Sequence, residues 1–428
     1  MKRLPLNSRG PRVSLDFEGT PVEAFEGEPV AAALLSAGER VLARSVKYHR
    51  PRGPFCFSGA CSHCLMRVDG APNTFACRTP VRDGMRVERQ NAFPSAKVDV
   101  FRAIDWLFPR GLDHHEMFAG VPVAEQVMAK VARHLAGLGL LPDGPAPLRP
   151  PAERIDTQVA IVGAGPAGLG AAEALAKAGI RFVLVERDGW LGGRLASAAP
   201  WPESPAIPAL GAFPEGSVRL GATAIGLFDD EQGRFLAVVS GEQLFQIHAP
   251  RFVLALGGSA TLPPFANNDL PGIHSARAAS ALVRRWGVLP GEAIVCAGTG
   301  DELKLTAALL SSAGAEVPLV LEGEVIAAHG RTGVRAISYR DGRGRERKVA
   351  CDALVLAHPP APAFELARQA GALTLFDPRC GFRVDTNPNG ATAAPGVFVA
   401  GEALGPASPL QAVESGQRAA AEIAEGLA

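Results

Sequence analysis

The chain has 428 residues, 47% of them hydrophobic and 20% charged, with Lys plus Arg and Asp plus Glu balanced at 43 each. At about 100–200 residues per domain, this length fits two to four domains, and the composition excludes a mainly disordered chain. The zero formal net charge argues against nucleic-acid or membrane binding driven by global charge. No apolar run approaches the ~18 residues of a membrane span. The basic start Met1-Lys2-Arg3 has no apolar stretch behind it, so a soluble cytoplasmic protein is expected.

Val13 to Phe17 alternates apolar and polar residues, which predicts a half-buried strand. Pro29 to Ala37 predicts a short helix, with proline in its first turn and Gly38 at its stop. The cysteines come next. The chain has seven, and four fall within 22 residues as Cys56-x4-Cys61-x2-Cys64-x12-Cys77. A secreted disulfide framework would be evenly paired, whereas a clustered set points to metal. C-x4-C-x2-C followed by a later cysteine is the plant-type spacing for a [2Fe–2S] cluster. Small residues such as Gly59 and Ala60 would let backbone amides approach the sulfurs and tune the potential. A structural zinc site is the rival, but only Cys61 and Cys64 form a zinc-type knuckle, and His63 between them is expected to point away. Buried cysteines that bind nothing are the third alternative. Cys296, Cys351 and Cys380 are scattered.

Residues 93–155 read as a helical connector, with Val123 to Leu138 its best amphipathic stretch. It ends in the proline-rich run Leu141 to Pro151, a stiff linker at a domain boundary. The pattern then becomes strand, glycine-rich turn, helix, strand. Val159 to Val162 is an apolar strand, followed by Gly163-Ala164-Gly165-Pro166-Ala167-Gly168 and a helical run from Leu169 to Ala178. Gly163 would make the tight turn, Gly165 would admit a pyrophosphate, and Gly168 would let helix and strand pack. Phosphates favour the helix N-terminus. A second strand, Arg181 to Val185, ends at Glu186, which can accept ribose hydroxyls; an acid there favours FAD or NAD over NADP. Arg187 follows it and is included in the cofactor set. Residues 218–255 read as short strands with turns such as Asp229 to Gly233.

Gly192-Gly193-Arg194, Ala255-Leu256-Gly257-Gly258 and Gly396 to Glu402 resemble three further segments of two-dinucleotide-binding-domain flavoproteins, which favours FAD. Ala255, Gly257, Gly401 and Glu402 therefore join Gly193 and Arg194 as expected cofactor residues. Leu256 stands where that superfamily has Thr. Glu402 stands where it has the Asp that reaches the ribityl chain. A second unit starts at the strand Ala293 to Ala297 and continues through Gly298-Thr299-Gly300-Asp301-Glu302-Leu303 to a strand ending near Glu322. Leu303 replaces the third glycine and should push helix from strand, while Asp301 and Glu302 put negative charge where a phosphate would sit. This unit is read as a retained scaffold rather than an NAD(P)H site. Cys296 is expected to be buried, and no redox cysteine pair lies here.

Ser45-Val46-Lys47-Tyr48-His49-Arg50-Pro51-Arg52-Gly53 resembles the lead-in to the N-terminal domain of the α subunit of heterotetrameric sarcosine oxidase. The cysteine loop is similar to the small [2Fe–2S] subunits of hydrogen cyanide synthase and opine oxidases. Leu270-Pro271-Gly272-Ile273 with Gly298, Gly300 and Leu303 resembles the larger flavoprotein subunit of those enzymes. The resemblance implies a fusion of iron–sulfur and flavoprotein components. It also implies a D-amino-acid-oxidase-like partner subunit that oxidises a C–N bond, and it allows an FMN at a subunit interface. Related subunits often end in a second Cys-rich module, and this sequence stops at Ala428 without one.

The expected fold is α/β multidomain. A β-grasp ferredoxin-like domain occupies 1–92. A flavoprotein domain from 156–265 and 350–428 is interrupted by a second Rossmann-like unit at 266–349. The expected function is electron transfer within a multi-subunit dehydrogenase or oxidase for amines or amino acids of opine, sarcosine, hydroxyproline or glycine type. The alternatives are a self-sufficient NAD(P)H-dependent reductase and a scaffold subunit with a structural nucleotide. No acid–base catalyst stands out. His114-His115 lacks ligands at metal spacing and reads as a surface turn. Arg340 to Lys348 reads as a charged hairpin turn rather than a nucleic-acid patch.

Overall fold

The computed structural model describes residues 3–6, 9–46, 48–90, 92, 95, 98–107, 150–201 and 204–427. The expected helix Val123 to Leu138, the pair His114-His115 and most of the proline-rich linker lie outside the described residues. The chain forms two compact units, one from residues 1–144 with 262–358 and one from 145–261 with 359–428.

In the first unit, the hairpin Arg12–Phe17 and Thr20–Phe25 turns on Glu18 and Gly19, whose φ angles are 51° and 81°; Asp16 accepts the Gly19 amide at 2.7 Å. The five-stranded sheet runs Thr20–Phe25, Arg12–Phe17, Arg86–Glu88, Leu65–Val68, Ala71–Phe75. Arg12–Phe17 lies parallel to Arg86–Glu88. The helix Val30–Ser36 buries Val30 to Leu35. Its Val30 and Leu34 share a core with Leu15, Met66 and Val87. Each such side chain contributes about 1.5–3 kcal/mol on burial. This mixed sheet gripping one helix is the expected β-grasp fold.

The same unit holds a parallel sheet in the order Ile273–Ser275, Ala353–Ala357, Ala293–Gly298, Glu316–Glu322. The helices Ala276–Trp286 and Gly300–Ser312 pack their apolar residues into its core. Ala353–Ala357 corrects the expected boundary, which assigned 350–428 to the flavoprotein domain. The strand is apolar throughout, and such a run reads the same in either parallel sheet; only its pairing with Ala293–Gly298 decides where it belongs. Arg340 to Lys348 falls in the expected hairpin, with Ala336–Arg340 antiparallel to Glu346–Ala350 and Asp341 accepting the Arg343 and Arg345 amides in the turn. Cys296 is fully buried, as expected.

The two sheets of this unit are joined. Ala32 and Leu35 share a small core with Leu282 and Val288. The Leu4 amide donates to the Gly287 carbonyl at 2.7 Å. Arg40 grips Asp352 twice, donating to its carboxylate at 2.7 Å and its carbonyl at 2.6 Å. The other carboxylate oxygen of Asp352 accepts the Glu292 and Ala293 amides, so one side chain closes a strand entry and an inter-sheet clamp.

The second unit has a parallel sheet in the order Val218–Leu220, Phe182–Glu186, Val159–Val162, Arg251–Leu254, Val397–Val399. Alternate residues serve opposite faces, as strand geometry requires. Val159 and Ile161 enter a core with the helices Pro166–Lys177 and Pro409–Glu425. Ala160 and Val162 enter a core with the strands Gly233–Ser240 and Gln243–His248. The two helices meet at glycines. A Cβ on Gly416 would lie 1.9 Å from the Ala167 carbonyl oxygen, and one on Gly170 would lie 2.5 Å from that of Val413.

Candidate cofactor sites

The cysteine loop leaves the strand Pro51–Arg52 and returns through the short 3-10 turn Ser62–Cys64. Cys56, Cys64 and Cys77 are buried, and Cys61 is partly so. The four thiols are electrostatically linked in the order Cys61, Cys56, Cys77, Cys64. Four free thiols so close cannot ionise together. Hydrogen bonds from Cys61 and Cys77 hold Cys56 low, and the bond to Cys56 holds Cys61 up. The Ser58 and Cys61 amides each donate to the Cys56 sulfur at 3.4 Å. Gly59 turns the loop at φ 73°, which brings the Cys61 amide back onto Cys56. Among the described residues no trio of His, Cys, Asp or Glu is arranged around a single metal ion. Four thiols in two linked pairs fit a binuclear cluster, which takes four thiolates over two irons. His63 packs against Phe55, ring centroids 6.2 Å apart, and burial lowers its pKa.

The lead-in to this loop is held by acids from two other segments, 98–107 and the stretch around Asp269. His49 Nδ1 lies 2.9 Å from Asp99, both buried; Arg50 donates to Asp105 at 2.8 Å; Arg52 lies 3.1 Å from Asp269. The structure does not describe Lys47 in this motif. Asp99, Asp105, Asp269 and Asp352 were missed in the sequence, since nothing in local spacing marks an acid as the partner of a distant base.

In the second unit, the strand Val159–Val162 feeds the turn at Gly163, φ 98°. A Cβ there would lie 2.4 Å from the Ala255 carbonyl oxygen, so Ala255 is brought against the turn. At Gly168 a Cβ would lie 1.8 Å from the Gly163 carbonyl oxygen, so only glycine lets the helix sit this close. Gly165 precedes the helix, with Pro166 and Ala167 in its first turn, and a Cβ there would meet open space. That is the cradle a phosphate needs. Gly193, at φ 49°, lies against Gly165; a Cβ on it would come 3.0 Å from the Gly165 Cα. Glu186 is buried, and its carboxylate accepts the Ala164 amide at 2.7 Å and the Asp188 amide at 2.8 Å. Burial pushes its pKa up. Each oxygen keeps a lone pair for a ribose hydroxyl. Arg187 is exposed, and Gly257 sits at φ 71° beyond Ala255.

Glu402 and Arg194 come together in an ion pair of 2.7 Å, and Arg194 also donates to the Ala407 carbonyl. Gly401 stacks on the first helix; a Cβ there would come 2.8 Å from Ala167 Cβ. Thus Gly163, Gly165, Pro166, Ala167, Gly168, Glu186, Gly193, Ala255 and Gly401 gather about one helix N-terminus, and the Arg194–Glu402 pair follows from Gly193 and Gly401. These residues fit FAD: an open turn for phosphates, an acid for the ribose, and a further carboxylate held in place.

The second strand–turn–helix unit differs at its contact points. Gly298, φ 141°, is still required, since a Cβ would lie 1.9 Å from the Ala357 carbonyl oxygen. Leu303, where the first unit has its third glycine, is fully buried in a core with Ala276, Ile294 and Val355. At the helix N-terminus, Glu302 accepts from Arg277 at 3.0 Å.

Residues 10–92 match the 2Fe-2S iron-sulfur cluster binding domain, and residues 157–422 match the pyridine nucleotide-disulphide oxidoreductase family. The chain therefore belongs to the pyridine nucleotide-disulphide oxidoreductases, as an FAD- and [2Fe–2S]-type member of the sarcosine oxidase α-like group. It is 30% identical to sarcosine oxidase subunit alpha of Rhizobium meliloti, over 86% of this chain and 42% of that protein. It is 42% identical to hydrogen cyanide synthase subunit HcnA of Pseudomonas aeruginosa, over 18% of this chain and 75% of that protein. The chain spans less than half the length of the sarcosine oxidase subunits it matches. The crystal structure of L-proline dehydrogenase from P. horikoshii superposes with a TM-score of 0.74 at 26% identity, over 99% of this chain and 75% of that one. The resemblance expected from the motifs is therefore found across nearly the whole chain. Among the described residues no helix is long and apolar enough to cross a membrane.

Proposed function

We propose that this chain is the electron-transfer subunit of a heteromeric amine or amino-acid dehydrogenase, taking electrons from a D-amino-acid-oxidase-like partner that oxidises a C–N bond. The observation that carries the reading is the pairing of an open dinucleotide cradle at Gly165 with a four-cysteine site in one chain, while the second nucleotide unit has a buried Leu303 in place of its third glycine and the acids Asp301 and Glu302 in the first turn of its helix. Relatives named as subunits of sarcosine oxidase and hydrogen cyanide synthase support it. When bound, flavin exchanges electrons in pairs or singly and the cluster exchanges them singly. The protein supplies the seats. Gly163, Gly165 and Gly168 shape the phosphate turn, Glu186 orients the ribose, the Arg194–Glu402 pair sets a carboxylate for the flavin side chain, and Cys56, Cys61, Cys64 and Cys77 hold the irons. All seven cysteines are unpaired, which fits a reducing cytoplasm.

Anaerobic titration of the purified chain tests the reading. With NADH, the flavin and iron–sulfur absorbance stay oxidised; with dithionite, both bleach. Fast bleaching at near-stoichiometric NADH overturns the proposal in favour of a self-sufficient reductase. A nucleotide released on denaturation without flavin absorbance overturns it in favour of a scaffold.

A further inference from the structure

The second Rossmann-like sheet retains strand, turn and helix, yet Leu303 replaces its third glycine and Asp301 and Glu302 put acids in the first turn of its helix. What it touches is the cysteine loop. The Ser275 amide, at the end of the strand Ile273–Ser275, donates to the carbonyl of Phe55, the residue before Cys56, at 3.0 Å. Gly53 lies against Pro271, where an added Cβ would come within 3.0 Å of the proline Cβ. Asp269, its side chain 10% exposed, sits 3.1 Å from Arg52, which is 23% exposed. Arg52 lies within electrostatic reach of Cys61, and His63 senses Arg52, Asp269 and Cys56 together. The pair is therefore placed beside the sulfurs and partly shielded from water, where charge interactions are screened less than at the surface.

We propose that this sheet serves as the seat of the iron–sulfur loop, and that Asp269, acting through Arg52, is a positioning residue that sets the reduction potential of the cluster held by Cys56, Cys61, Cys64 and Cys77. The proposal rests on the assignment of those four cysteines as ligands. Reduction by one electron adds one negative charge at the cysteine pocket. Arg52 favours that charge and Asp269 offsets Arg52, so the two residues move the potential in opposite directions.

The test is a potentiometric titration of the full chain with dithionite and mediators, followed by the electron-paramagnetic-resonance signal of the reduced cluster. Iron and acid-labile sulfide are measured on the same samples. Asp269→Asn is expected to raise the potential and Arg52→Gln to lower it, both with full cluster content. Arg52→Lys keeps the charge and is expected to stay near the parent value. If Arg52→Gln does not fold, Asp269→Asn and Arg52→Lys carry the test. Potentials that coincide with the parent, or Asp269→Asn and Arg52→Gln shifts of the same sign, at full iron and sulfide, overturn this proposal alone. A parent chain without iron and sulfide overturns the ligand assignment and this proposal with it.

Discussion

The two strand–turn–helix units begin alike and end differently. Gly163 and Gly298 both sit at positive φ with no room for a Cβ, each pressed on a neighbouring strand's carbonyl, Ala255 in one and Ala357 in the other. Five residues on, the units part. Gly168 has a carbonyl where a side chain would go, whereas Leu303 is a core residue. Both helices open on a glycine with space above it, Gly165 and Gly300, but the second carries Asp301 and Glu302 in its first turn, with Glu302 tied to Arg277. The first two glycines of the turn are kept in both units, while the third glycine and an acid-free first turn are kept in only one. A fold can thus outlive its ligand site, because packing and binding draw on different residues of the same turn.

Exchanging the distinguishing residues should break this contrast. Gly168→Leu forces a side chain onto the Gly163 carbonyl, 1.8 Å from the new Cβ. A loss above about 4 kcal/mol is expected, since the helix must leave the strand, and the purified protein should lack flavin absorbance. A variant that keeps full FAD and its denaturation midpoint sinks the tight-packing account. The reverse exchange, Leu303→Gly, empties a fully buried site. It should cost about 3–5 kcal/mol in denaturant titration, from the cavity and helix propensity together. It should not bring on bleaching by NADH, because Asp301 and Glu302 still put acids in the first turn of the helix.

Acid sharpens the contrast. His274, on the edge strand Ile273–Ser275 of the second Rossmann-like sheet, is fully buried, and neither ring nitrogen has a hydrogen-bond partner among the described residues. Burial pushes its pKa down to about 4; the nearby Pro54 carbonyl opposes this without reaching hydrogen-bonding geometry. The unfolded state therefore takes up a proton below about pH 6.5 that the folded state refuses until about pH 4. Stability contributed by neutral His274 is present above pH 6.5 and is lost as pH falls toward 4, by about 3 kcal/mol. His274→Leu should flatten that slope. Parallel pH profiles for the variant and parent would refute the assignment.

Local patterns were legible before the structure because their physics is local. Three thiols on one loop with a fourth just past the next hairpin, three glycines on one turn and an acid at a strand end each lie within about one supersecondary unit. The helix Val30–Ser36 and the charged hairpin around Asp341 were legible for the same reason. Which amides face the Cys56 sulfur, those of Ser58 and Cys61, was not legible, since loop curvature at Gly59 decides it.

By itself, then, the sequence determined the two cofactor motifs and the order of the domains that carry them, because hydrophobic period, turn chemistry and ligand spacing act over a few residues. Only the tertiary structure decided that Ala353–Ala357 belongs to the second sheet, that Glu402 is held by Arg194, and that Asp99, Asp105 and Asp269 meet the run His49 to Arg52. Strand pairing and ion pairing across long separations follow from which apolar faces bury together. A charged residue carries no mark of its distant partner until that burial has brought the two within reach.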